Sequence, residues 1–227
     1  MKKITIALFL AAGALSLLGC NNQYQPKEQP LQAMQQSYQG VLPCADCGGL
    51  DTSLFLDEDG TFVLQETYRD TKDGDQTFAD YGKWARTADK LVLTDSRGDK
   101  RYFRPAGKSL EMLDQSGAII ESKLNYRLDP VEKALPKTPM ALKGSYTYMA
   151  DAAVFKDCAT GKTFPVDNTI ALEQGYAKAY KTPGEPVFLT LNGHFSVQPS
   201  MEEGQTEKAL VPDGKLVFDR SKNCDSK

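Results

Sequence analysis

The chain has 227 residues, 41% of them hydrophobic and 25% charged, with a formal net charge of −3. These are the proportions of a folded protein rather than a disordered one. The slightly acidic balance excludes nucleic acid or an anionic lipid surface as the main partner.

Met1-Lys2-Lys3 is a cationic start, and Ile4 to Leu18 is almost wholly apolar. That run has about the length of a secretory leader and is short for a membrane span. It ends Leu17-Leu18-Gly19-Cys20, which resembles the lipobox of bacterial lipoproteins. The resemblance implies a signal peptide over 1–19, a cut before Cys20, and S-diacylglycerol plus an N-palmitoyl chain on that cysteine. Several acyl chains on one residue suffice for stable anchoring in lipid. In the same sorting pattern Asn21, rather than aspartate, implies delivery by the lipoprotein-sorting machinery to the outer membrane, facing the periplasm. The alternative is an ordinary secretory signal followed by a chance cysteine. Residues 20–36 hold six glutamines and two prolines after Cys20, which predicts a polar tether that sets the distance from the bilayer.

Residues 37–128 read as one small antiparallel β-barrel that opens on Leu42-Pro43-Cys44-Ala45-Asp46-Cys47-Gly48-Gly49. A C-x-x-C motif is a redox pair, half of a metal site or a local staple. In thioredoxin-like sites the second cysteine runs into a helix that lowers the thiol pKa; Gly48-Gly49 opposes such a helix by backbone entropy. Leu54, Leu56, Phe62 and Leu64 alternate on either side of Asp57-Glu58-Asp59-Gly60, a hairpin signal. Further strands are predicted over Phe78–Arg86, Lys90–Thr94, Arg101–Arg104, Ser109–Leu113 and Leu124–Arg127, a spacing that suits a lipocalin-like barrel. Gly82-Lys83-Trp84 resembles the lipocalin G-x-W but falls mid-barrel, where a packing role is expected instead.

Residues 129–140 contain Pro130, Pro136 and Pro139 and are predicted to be a linker. In 141–227, strands are expected over Tyr146–Tyr148, Ala153–Lys156, Lys162–Val166, Pro186–Val197 and Lys215–Asp219. Asp167 or Asn168 would cap a helix whose Thr169, Leu172, Tyr176 and Ala179 share a face, with Pro183-Gly184 stopping it. That element order is the one of an OB-fold. The chain is thus mainly all-β. The charges of this half are balanced, so the fold alone carries no inference of nucleic-acid binding.

With Cys20 used for lipid, Cys44, Cys47, Cys158 and Cys224 remain. In an oxidising compartment they suggest two disulfides, with three pairings open. Local closure of Cys44 with Cys47 would leave Cys158 with Cys224; the long loop then contributes roughly 4 kcal/mol against roughly 2 for the short one. Structural zinc needs four ligands, and the single histidine, His194, lies about 150 residues from the C-x-x-C. It falls in Leu191-Asn192-Gly193-His194-Phe195, which reads as a turn beside a strand. Cu(I) tolerates low coordination and suits reduced Cys44 and Cys47. Asp57-x-Asp59-Gly60 and Asp70-x-x-Asp73-Gly74-Asp75 have the look of calcium loops without the closing glutamate, and hairpin turns use the same residues. Arg97-Gly98-Asp99 matches an adhesion tripeptide but is only a turn. No set of residues has the look of a catalytic constellation, so an enzyme is not expected.

Taken together, the lipobox at Cys20, the polar tether, the C-x-x-C opening a barrel, the proline-rich linker and an OB-like domain with Cys158 and Cys224 resemble the NlpE family of lipoproteins. The resemblance implies an outer-membrane lipoprotein that activates the Cpx two-component system through the periplasmic domain of its sensor kinase. It implies sensing of surface contact, copper excess, and failed lipoprotein trafficking or disulfide formation. By resemblance Cys44 and Cys47 are the copper- and redox-linked pair, Cys158–Cys224 is a redox-sensitive bridge, and no cofactor is required, with Cu(I) a candidate ligand of the first pair. Two other readings remain open: a lipocalin-like carrier of an apolar ligand, and a periplasmic thiol oxidoreductase using Cys44 and Cys47.

Overall fold

The computed structural model describes residues 36–167, 169–200 and 202–226. The signal peptide, Cys20, Asn21 and the tether as far as residue 35 lie outside the described residues, as does Asn168. Among the described residues no helix is long and apolar enough to cross a membrane.

Eight antiparallel strands run up and down in sequence order and close on themselves: β1 (Gln36–Leu42), β2 (Gly49–Leu56), β3 (Thr61–Arg69), β4 (Gln76–Arg86), β5 (Leu91–Asp95), β6 (Lys100–Ala106), β7 (Ser109–Met112) and β8 (Arg127–Val131). β8 closes the ring on β1, with Ser37 opposite Val131. Side chains alternate across a strand, so one parity fills the barrel. Leu54, Leu56, Phe62, Leu64, Leu91, Leu93 and Phe103 form its inner core. At the predicted hairpin, Asp59 accepts from the backbone N–H of Thr61 and Gly60 adopts φ 83°. Trp84 donates its indole N–H to the Asp57 carbonyl at 2.8 Å. A Cβ on Gly82 would lie 2.0 Å from the Thr94 carbonyl oxygen, so the glycine lets β4 and β5 approach. Gly82-Lys83-Trp84 is a packing feature.

The last strand of the barrel differs from expectation. Leu124–Arg127 is mostly irregular, and β8 starts only at Arg127, where Asn125 accepts from the Arg127 N–H and donates to the Val41 carbonyl. Asp129 and Pro130, read from sequence as the start of the linker, are barrel residues opposite Gln39 and Tyr38. Leu135, also in the expected linker, is buried.

The C-terminal strands are β9 (Met140–Met149), β10 (Ala152–Asp157), β11 (Thr163–Pro165), β12 (Val187–Pro199) and β13 (Thr206–Asp219), with α1 (Ile170–Ala179) between β11 and β12. They form one sheet in the order β11-β10-β9-β12-β13, and a parallel bridge from Val166 to Leu210 curls its two edges together. α1 buries Leu172, Tyr176 and Ala179, and Tyr176 packs edge-on against Tyr146. The cap is Thr169 rather than Asp167: its hydroxyl accepts from the Leu172 N–H. β13 begins nine residues before the sequence suggested, and Pro212-Asp213-Gly214 lies within it, opposite a register shift at Leu191/Gly193.

The inner core of the barrel stands by itself, but the barrel's outer wall is part of the C-terminal core. Phe55, Val63 and Tyr81, of the opposite parity to the inner residues, point out of the barrel and are buried with Leu142, Phe164, Phe195 and Leu210 of the C-terminal sheet.

Candidate functional site

The Cys44–Cys47 loop joins β1 to β2 with no helix after it. The structure closes the pair as a disulfide, Cα–Cα 5.4 Å, with both residues half-buried. The loop is tied down from behind: Gly48 donates its N–H to the Arg69 carbonyl at 2.8 Å, and a Cβ there would meet the Asp70 carboxylate at 2.2 Å. Arg69 in turn pairs with Asp51 at 2.5 Å. Burial pushes the Asp51 carboxyl up, but the hydrogen bonds from Arg69 and Gln39 outweigh it and hold it below the usual range. Without a helix N-terminus the thiols lack the feature that activates a thioredoxin-like cysteine.

The second disulfide joins Cys158, in the turn after β10, to the exposed Cys224 beyond β13, Cα–Cα 5.2 Å. Its neighbour Asp157 is 1% exposed. One Asp157 oxygen accepts from the Tyr81 hydroxyl of the barrel at 2.6 Å; the other accepts from the backbone N–H and hydroxyl of Thr160. Burial, then the Asp157 charge, pushes the Tyr81 hydroxyl far up, so it remains a donor. This disulfide thus adjoins a buried polar contact between barrel and sheet.

A second such contact uses the acidic hairpin. Lys208 on β13 inserts its ammonium between Asp57 (2.7 Å) and Asp59 (3.0 Å), donates to the Thr61 hydroxyl, and lies 5.4 and 5.5 Å from the Phe164 and Phe195 ring centroids. The calcium-loop residues Asp57 and Asp59 therefore hold a lysine. Among the described residues no three His, Cys, Asp or Glu side chains gather in a way that could hold a metal ion. Sequence reasoning missed this interface; its signal was the outward parity Phe55, Val63, Tyr81, as apolar as the inward one.

His194 is not in a turn. It lies inside β12, 8% exposed, with Nδ1 2.7 Å from Asp213. Arg97 of the Arg97-Gly98-Asp99 turn is drawn back onto Asp95 and Asp80. At the mouth of the barrel is a cavity of about 840 Å³ that reaches Leu64, Leu93 and Met112 but also Asp80, Asp95 and Arg101. Arg101 makes a two-pronged pair with Glu66, which is 7% exposed. A carrier of a purely apolar ligand would not place buried charges there.

Family models match both halves: one described as the NlpE N-terminal domain over residues 38–123, and one as the NlpE C-terminal OB domain over residues 136–225. Lipoprotein NlpE of Escherichia coli (strain K12) is 46% identical over 232 residues, covering 100% of this chain and 98% of that protein. The crystal structure of the Cpx pathway activator NlpE from Escherichia coli aligns at 50% identity over 86% of this chain and 100% of that one, with a TM-score of 0.42.

Proposed function

The chain belongs to the NlpE family over both of its domains, and from that premise we propose that it is a lipid-anchored sensor of envelope stress that activates the Cpx pathway from the outer membrane. The observation that carries this reading is the 46% identity, over the whole chain, to Lipoprotein NlpE of E. coli; the crystal structure of NlpE from that organism is titled a Cpx pathway activator. The lipobox ending at Cys20 and the two disulfides of the distal domains support it. Cys20 is the acylated residue. Asn21 directs the protein to the outer membrane, and the sensor kinase's periplasmic domain, across the periplasm, is the partner. Restraint then comes from distance.

A Cpx reporter tests this directly. Asn21→Asp is expected to retain the protein at the inner membrane and raise basal output at unchanged protein level, because partners on one surface gain effective concentration without new contacts. An Asn21→Asp protein that fractionates with the inner membrane while output stays flat removes geometry as the restraint. Cys20→Ala, which cannot be acylated, serves as the unanchored reference.

The copper role falls to Cys44 and Cys47. Once reduced, they offer two thiolates on a half-buried loop, a set that Cu(I) accepts and zinc does not. The reduced chain is expected to withdraw one Cu(I) per molecule from bathocuproine disulfonate, and the Cys44→Ala/Cys47→Ala chain none. Equal withdrawal by both chains would move the site elsewhere.

A further inference from the structure

The barrel is closed, but not over its full height. β3 pairs with β4 from Thr61↔Lys83 to Tyr68↔Gln76, whereas β5 pairs with β4 only from Gly82↔Asp95 to Arg86↔Leu91. Residues 76–81 of β4 therefore have a neighbouring strand on one side only. Trp84 sends its backbone N–H toward β3, to the Gly60 carbonyl. By alternation the N–H and C=O groups of Thr77, Ala79 and Tyr81 face the gap. Asp80 takes the Tyr81 N–H at 2.8 Å; among the described residues no strand pairs with Thr77 or Ala79 on this side, although the Ala79 side chain packs against the C-terminal core. Such a row of backbone donors and acceptors is a template for another strand.

Behind the gap are two cavities of about 840 and 540 Å³ that share Leu64, Asp80, Arg97 and Arg101. The smaller is flanked by the edge-on rings of Tyr68 and Phe78, with Phe78 58% exposed. Phe78 and Asp80 stand opposite Glu66 and Leu64, so they share the inward face of the wall. Around both cavities five carboxylates face three cationic side chains.

We propose that the open edge of β4 and the cavity behind it form a binding site for a basic, extended polypeptide segment, taken up as an added strand. Its main chain pairs with Thr77 and Ala79, and its alternate side chains enter the cavity; main-chain bonds give affinity and the pocket gives selectivity. The site goes beyond the signalling reading and stands whether or not that reading does. A polypeptide suits the site better than an acyl chain. An acyl chain leaves the edge groups unpaired and presses methylenes onto the Glu66–Arg101 and Asp80–Arg97 pairs, both of which cost free energy. The excess of carboxylates selects lysine or arginine at the polar positions of the strand.

The probe is a fluorescein-labelled decapeptide of alternating lysine and valine, titrated against the full chain in nanodiscs and read by anisotropy. Saturable binding is expected, weakened about tenfold or more when alternate peptide amides are N-methylated, since main-chain bonds are lost. Ala79→Pro removes a donor that faces the gap and none that faces β3, a placement strands tolerate, and is expected to weaken binding comparably. The N-methylated peptide asks the same question without altering the protein. No binding at millimolar peptide, or binding indifferent to N-methylation, overturns the proposal. So does one-to-one uptake of cis-parinaric acid that the peptide does not displace, which would assign the cavity to an amphiphile.

Discussion

A chain carrying Cys158→Ser and Cys224→Ser is expected to lose about 4 kcal/mol of stability, and to lose it in the C-terminal sheet. The bridge spans 66 residues, and opening it frees the segment beyond Asp219 and the turn that follows Asp157. A loss of that size is a large part of the stability of an ordinary domain. The barrel has an inner core of its own, so limited proteolysis should remove the C-terminal half first and leave a resistant N-terminal fragment. That fragment presents Phe55, Val63 and Tyr81 to solvent and should bind the dye ANS more strongly than the intact protein does. Loss of both halves at one protease concentration would mean that the buried interface makes them a single cooperative unit.

The second large effect is expected at Lys208. Replacing it by alanine leaves Asp57 and Asp59 facing aromatic rings without their cation. Removing one partner of a buried pair costs about 3–5 kcal/mol. Here the carboxylates are 19% and 31% exposed against 8% for the lysine, so water relieves part of the penalty and about 2–3 kcal/mol is expected. The effect has a pH signature. Burial pushes the Asp59 carboxyl up, but the Thr61 hydroxyl, the Lys208 ammonium and the Thr61 N–H outweigh it and hold it below the usual range. A depressed carboxylate contributes stability above its unfolded pKa and loses it as pH falls through the folded one. The gap between wild type and Lys208→Ala in urea midpoint should therefore be full at neutral pH and shrink in acid, below the ordinary aspartate range. A gap that stays constant with pH would assign the loss to packing on Phe164 and Phe195 instead.

Local signals carried much of the fold. Leu54, Leu56, Phe62 and Leu64 around an acidic-glycine turn specify a hairpin and its inward face, and Leu172, Tyr176 and Ala179 specify one face of α1. What local signals could not carry was long-range register. Pro130 reads as part of a linker, yet it is strand where its partner Tyr38 accepts it, and the extension of β13 back to Thr206 likewise rests on pairing with β12. Asn192-Gly193 read as a turn around His194 because the pairing of that residue with Asp213 depends on a strand 19 residues away. Of the site, the two cysteine pairs were legible as candidates. The role of Asp57 and Asp59 was not, because their partner lies 151 and 149 residues distant.

The outward-facing Phe55, Val63 and Tyr81 also set a schedule for biosynthesis. The barrel is complete once β8 has been made, yet the residues that cover its outer wall extend through β13, roughly 90 residues later. Whenever the chain emerges N-terminus first at about 5–20 residues per second, that wall waits on the order of ten seconds for its cover. During that interval a finished, correctly folded barrel carries an adhesive flank. A chaperone that holds exposed apolar surface would meet this chain as a native domain with one uncovered side.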